Sequence, residues 1–299
     1  MSVSKKVLRK MKKVMGVVGT SISLIPMSSQ VSCAMRTWCH SNVQYRFDGK
    51  HLLIRGNGTI NGNSIRRNLT EEEMENISKI RIDSGITVIG ETAFDSFIGL
   101  KSINIPNSVT EIGKFAFFGC KSLDKITIPN SVTGIGDFAF SDCTSLQEIT
   151  IPNSVIAIGE CAFRGCSSLK EITIPNSVSI IDRLAFASSG LERVKLEDMS
   201  RCDSKSCWDV LLRNYAFYGC EQLSILDLGN ANMSRMAKVE NDAFWGCDPN
   251  FVALEGRTVR GKFYNTVLNY HYNYFIPNAF LFDSINDRIN KKNSFFKKG

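Results

Sequence analysis

Residues 105–173 are one 23-residue phrase written three times, with copies opening Ile-Pro-Asn-Ser-Val at Ile105, Ile128 and Ile151, and a fourth opening the same way at Ile174. A fixed period of this length does not build a single globular core. Each copy is one structural unit whose apolar side chains only a neighbouring copy can cover, which is the pattern of a solenoid. An Ala-Phe pair carries the period farther. Phe94, Phe117, Phe140, Phe163 and Phe186 fall 23 apart, and Phe217 and Phe244 continue the series after insertions. About seven coils over residues 80–250 are expected.

Within one coil, Leu123, Ile126 and Ile128 alternate with Lys125 and Thr127, which puts the aliphatic residues inward and the polar ones outward on a short strand. Pro129 lacks an N–H and ends that strand, and Asn130 and Ser131 make the turn. Val132 and Ile135 point back to the core, and Gly136 permits a bend. Phe138-Ala-Phe140 with Cys143 is expected to be a short helical or 3₁₀ return. Stacked coils place successive strands about 4.8 Å apart in a parallel ladder. Its outward positions then form two rows, one with Lys125, Glu148, Glu171 and Arg193, the other with Thr127, Thr150, Thr173 and Lys195.

The flanks break the period. Residues 1–34 have a basic start, an apolar stretch from Val14 to Ile25 and a small, polar end at Ser32 and Ala34, the layout of a secretory signal peptide. The alternative is an uncleaved basic arm on a cytosolic protein. Lys5, Lys6, Arg9, Lys10, Lys12 and Lys13 supply six of the seven net positive charges. The basic balance therefore belongs to the leader and is no argument for nucleic acid. No other stretch is long and apolar enough to span a bilayer. Residues 35–79 read as an N-terminal cap: a hairpin about Asp48-Gly49, a glycine-rich loop from Gly56 to Gly62, and a short helix opened by the capping box Thr70 to Glu73. Residues 251–299 read as a C-terminal cap with a frayed basic tail. Its aromatic run from Phe263 to Phe280 offers glycan binding as an alternative.

Ten cysteines suggest chemistry, but Cys120, Cys143, Cys166, Cys220 and Cys247 occupy one slot of the repeat and Cys161 the slot of Phe115 and Phe138. These positions predict buried free thiols. Cys202 and Cys207 are placed to close an insert near residues 197–212, as a disulfide in an oxidising compartment or as two free thiols. Trp208 in that insert either meets a partner or folds back on the irregular coil. There is no C-x-x-C pair for structural zinc, and His40, His51 and His271 all lie outside the array. Nothing marks a convergence of nucleophile and base, so no enzyme, cofactor or metal site is expected.

The motif Leu-x-x-Ile-x-Ile-Pro-x-Ser-Val-x-x-Ile-Gly-x-x-Ala-Phe-x-x-Cys resembles the BspA-like, treponemal class of leucine-rich repeats over residues 80–250. The resemblance implies a right-handed leucine-rich-repeat solenoid with parallel strands, capped at both ends, and a secreted or cell-surface protein of the adhesin or surface-antigen kind. It brings no catalytic residue. The expected partner is another protein or a matrix component, met by the outward strand positions Lys125, Thr127, Glu148, Thr150, Glu171, Thr173, Arg193 and Lys195, with Trp208 from the insert. The alternative is a cytosolic interaction scaffold of the same fold.

Overall fold

A computed structural model of the chain describes residues 35–197, 210–227, 242–247 and 252–254. Residues 1–34, Cys202, Cys207, Trp208, His271 and the aromatic run from Phe263 lie outside the described residues.

The described chain opens as an antiparallel meander of β1 (Arg36–His40), β2 (Val43–Phe47) and β3 (His51–Gly56). Alternation sets its two faces: Val43, Tyr45 and Phe47 are buried, Gln44 and Arg46 exposed. The expected hairpin turn is tied down by Asp48, whose Oδ1 accepts from the backbone N–H of Lys50 (3.0 Å) and His51 (2.8 Å). Strand β1, with its tight turn at Ser41-Asn42, was not legible from the hairpin pattern. Gly56 is needed here: its φ is +107°, and a Cβ would lie 2.0 Å from the Asn42 carbonyl oxygen.

At β3 the chain changes from antiparallel to parallel pairing, because β3 lies beside β5 (Lys79–Ile82) with His51 opposite Lys79 and Ile54 opposite Ile82. Between them come β4 (Gly58–Ile60), α1 (Gly62–Asn68) and α2 (Glu71–Asn76). The segment expected to be a glycine-rich loop thus holds a strand and leads into a helix. Asn61 caps α1 by accepting from Ser64 N–H, and the Thr70–Glu73 capping box on α2 forms as the sequence predicts.

From β5 on, each coil has three sides. The first carries β7 (Ser102–Asn104), β9 (Lys125–Thr127), β11 (Glu148–Thr150), β13 (Glu171–Ile174), β15 (Arg193–Leu196), β17 (Ile225–Asp227) and β18 (Val252–Leu254). Its hydrogen-bonded ladders are β1-β2-β3-β5-β7, β9-β11 and β13-β15-β17-β18. The second side carries strands too short to be recognised by propensity. These are β6 (Ile86–Ile89), β8 (Glu111–Ile112), β10 (Gly134–Ile135), β12 (Ala157–Ile158), β14 (Ile180–Ile181) and β16 (Leu211–Leu212). With β4 they form one seven-stranded parallel sheet in coil order.

The corner between these sides explains the repeated Pro-Asn-Ser. Val132 N–H donates to the Pro129 carbonyl at 3.0 Å and closes the turn. The serine hydroxyl then ties each coil to the one before: Ser108 Oγ donates to Ile86 O (2.6 Å), Ser154 to Val132 O (2.6 Å) and Ser177 to Val155 O (2.8 Å).

The third side corrects the expected helical return. Phe115, Phe117 and Gly119 donate their N–H to Asp137, Ala139 and Ser141 of the next coil at 2.9, 2.8 and 2.8 Å. The intervening Ala116, Phe118 and Cys120 donate back three residues within their own coil. Two slots per coil have positive φ. Thr92, Phe115, Phe138, Cys161, Leu184, Tyr215 and Asp242 fill the first, and Ser96, Gly119, Asp142, Gly165, Ser188, Gly219 and Gly246 the second. A left-handed residue every fourth position prevents winding, and the neighbouring coil takes the N–H groups a helix would use internally.

The core runs through all three sides. Phe94, Phe117, Phe140, Phe163, Phe186, Phe217 and Phe244 are buried in one file, with consecutive ring centroids 5.1–5.4 Å apart. Rings from Phe117 onward are within 7° of parallel, whereas Phe94 is tilted by 37° from Phe117. In that first coil Phe97 replaces cysteine and packs edge-on to Phe94 at 5.7 Å. The file stays continuous across the insert, with Phe186 and Phe217 stacked at 5.2 Å.

Candidate functional site

The outward rows expected from the period are present in the strand register. Lys125 faces Glu148 and Thr127 faces Thr150 across β9 and β11. Glu171 faces Arg193 and Thr173 faces Lys195 across β13 and β15, and β17 continues the rows with Ile225 and Asp227. Inward neighbours fix this orientation: Ile126, Ile149, Ile172, Val194 and Leu226 are buried between them. Lys125, Thr127, Glu148, Thr150, Glu171 and Lys195 are exposed, and Thr173 and Arg193 half-buried. The register therefore brings eight of the nine sequence-predicted residues onto one surface. Trp208 lies outside the described residues.

Both signs of charge stand on the face, with Glu148 and Glu171 flanked by Lys125 and Arg193. Arg193 is held by Asp227 at 3.4 Å on the next strand. Among the described residues, Lys125, Glu148, Glu171 and Lys195 make no ion pair, so their heads are solvated and open to a partner. A rigid, flat array of such groups selects by charge pattern more than by a pocket.

The cysteines do different work. Cys120, Cys143, Cys166 and Cys220 are fully buried free thiols, and each Sγ–H donates to a phenylalanine carbonyl of the preceding coil. The distances to Phe94, Phe117, Phe140 and Phe186 O are 3.2, 3.2, 3.2 and 3.0 Å. Burial pushes the Cys143 thiol up to about 12 and Cys220 to about 11. Cys120 and Cys166 are driven well above the usual thiol range by the same cause. Protonated at neutral pH, these sulfurs are neither nucleophiles nor metal ligands. In the coil of Phe186, which like the first coil lacks the cysteine, Ser189 fills the slot, with its Oγ 3.3 Å from Cys220 Sγ.

A surface depression beside the helices is lined by Arg66, Leu69, Met74 and Asp95. Its cation is already engaged: Arg66 bonds Asp95 Oδ2 and the Thr92 carbonyl, both at 2.8 Å. Among the described residues, no three His, Cys, Asp or Glu side chains converge on a metal-sized site, and no helix is long and apolar enough to cross a membrane.

Sequence reasoning passed over Arg46, Arg55, Lys79 and Arg81, which occupy outward positions of β2, β3 and β5 on the same side of the molecule. The signal that could have found them is the alternation in the hairpin, extended through the parallel pairing of β3 with β5.

Residues 63–192 match the family model described as a BspA type leucine rich repeat region, in six copies. No curated protein matches the chain. Among solved structures, the chain is similar to a leucine-rich repeat protein of T. pallidum, at 22% identity over 66% of this chain and 91% of that one, with a TM-score of 0.44. It is also similar to a leucine-rich repeat protein from Bacteroides ovatus (22% identity, 73% and 71% covered, TM-score 0.38). The pneumococcal vaccine antigen PcpA is a further similar structure (17% identity, 69% and 65% covered, TM-score 0.41). The six matched copies lie on the stacked coils, so residues 63–192 of this chain are similar to a BspA type leucine rich repeat region.

Proposed function

We propose that this chain is a non-catalytic, secreted or cell-surface protein that binds another protein or a matrix component through the outward face of β9, β11, β13 and β15. The observation that carries the reading is the register that aligns Lys125 with Glu148 and Glu171 with Arg193 on a solvated sheet whose opposite side is wholly core. Repeat families of this kind use such surfaces for interaction. The basic-then-apolar layout of residues 1–34 supports export, and Trp208, in the insert that follows β15 in the sequence, is a further candidate contact. Sequencing the N-terminus of the protein recovered from its source tests export: a chain starting at Met1 or Ser2 would favour the cytosolic scaffold. A pull-down comparing the unmodified chain with Lys125→Ala/Glu148→Ala/Glu171→Ala/Arg193→Ala tests the face. Loss of a partner from the variant is expected, and equal recovery of every partner would remove the face from contention.

A further inference from the structure

The strand face is not uniform in charge. On its N-terminal strands, outward positions carry Arg46 on β2, Arg55 on β3, and Lys79 and Arg81 on β5, all exposed, and no carboxylate. Acidic residues enter the rows only from β11 onward, with Glu148, Glu171 and Asp227. The register sets the spacing. Arg46 lies opposite Leu53 and Leu53 opposite Arg81, so Arg46 and Arg81 are two strands apart, roughly 10 Å. Lys79 and Arg81 are two residues apart on one strand, about 7 Å.

Among the described residues, one carboxylate reaches these cations. Asp83 binds Arg55 at 2.9 Å and Arg81 at 3.4 Å, which holds the two guanidinium groups side by side. Their side chains remain 56% and 70% exposed, so both keep donors for a ligand. Arg46 Nε lies against the uncharged Met35 sulfur, and among the described residues no carboxylate pairs with it. Among the cations stand Gln44, the half-buried Leu53 and His51, which is bonded to Asp48, while Ser102 and Asn104 flank Lys79 and Arg81 on the next strand.

This composition distinguishes among polyanions. The apolar or aromatic anchors that dominate most protein interfaces are not exposed between these four residues, and no insert adjoins them in the sequence. Single-stranded nucleic acid needs aromatic platforms for its bases, which are missing from these outward positions. What the surface supplies is planar, forked donors and an ammonium on a rigid sheet, with amide and hydroxyl groups beside them, a set suited to sulfate groups and sugar hydroxyls on a flexible chain. We infer that Arg46, Arg55, Lys79 and Arg81 form a docking surface for a sulfated, unbranched polysaccharide. It stands independently of the function proposed above, since none of the four belongs to that set of face residues.

The test measures binding of a heparin oligosaccharide to the full chain. Because the leader is itself basic, a leader variant, Lys5→Gln/Lys6→Gln/Arg9→Gln, is run beside the face variant Arg46→Gln/Lys79→Gln/Arg81→Gln. The face variant is expected to bind roughly tenfold more weakly or worse, and to show a shallower dependence on salt, while the leader variant changes less. Desulfated heparin is expected to bind poorly. Arg46→Lys/Arg81→Lys keeps the charges but not the forked donors and is expected to bind with an affinity between those of the unmodified chain and the face variant. Should the triple variant not fold, Arg46→Glu, which lies outside the Asp83 pairs, carries the same expectation. Unchanged heparin affinity in the face variant overturns the inference. So does binding of poly-glutamate or of a DNA oligonucleotide as tight as that of heparin.

Discussion

The Sγ of Cys143 lies 3.2 Å from the carbonyl oxygen of Phe117, one coil earlier, and donates its proton to it. The same bond recurs from Cys120 to Phe94 and from Cys166 to Phe140, so the cysteine slot links coils in the core beside the phenylalanine file. Its physical consequences are open to measurement.

The folded-state pKa of Cys143, about 12, is raised above the ordinary thiol value of 9.0 because burial disfavours the thiolate. Its contribution to stability is therefore full below pH 9 and is lost as pH rises toward 12. The expected slope is about 1.4 kcal/mol per pH unit for each such thiol. Urea unfolding across this range checks the prediction, with Cys143→Ser as the reference that removes one titrating group. In the folded protein at pH 8, a thiol reagent should modify the exposed Cys39 first and reach Cys143 only on unfolding.

Phe140 stacks between Phe117 at 5.1 Å and Phe163 at 5.3 Å, fully buried. Phe140→Ala removes contacts on both sides and is expected to cost about 3–5 kcal/mol in denaturant unfolding. Phe140→Leu should cost less, because it keeps most of the apolar volume.

Asp142 has φ +59° in the slot that Gly119 and Gly165 fill in the adjacent coils. Asp142→Gly relieves the left-handed conformation and should be neutral or stabilising by up to about 1 kcal/mol. Gly136→Ala should act oppositely, by more than about 2 kcal/mol, because its Cβ would meet Gly113 C at 2.7 Å and Lys114 N at 2.8 Å. Thermal unfolding of the pair separates strain in a turn from contact between coils.

Ser154 Oγ donates to Val132 O at 2.6 Å, across the corner between the two sheets. Ser154→Ala should cost about 1 kcal/mol. Combined with Ser108→Ala, two coils away, the losses should add in equilibrium unfolding, because the sites share no partner.

Much of this molecule was legible before any coordinates. A 23-residue period demands coils that cover one another, and the alternation of Leu123, Ile126 and Ile128 with Lys125 and Thr127 assigns inward and outward sides. The repeated cysteines and phenylalanines read correctly as core because side chains at one slot of a stacked coil must meet their own copies. What the sequence left open are features that depend on hydrogen bonds between coils. Two-residue strands such as Gly134–Ile135 have no propensity signal and exist because Glu111–Ile112 and Ala157–Ile158 flank them. Phe115 and Phe138 occupy left-handed backbone, against their preference, because the next coil's carbonyls claim the alternate N–H groups. The basic cluster was hidden for a related reason. Arg46, Arg55, Lys79 and Arg81 belong to no common period, and only the pairing of β3 with both β2 and β5 gathers them on one face. Local pattern decided which side chains are buried; contact between coils decided which exposed ones stand together.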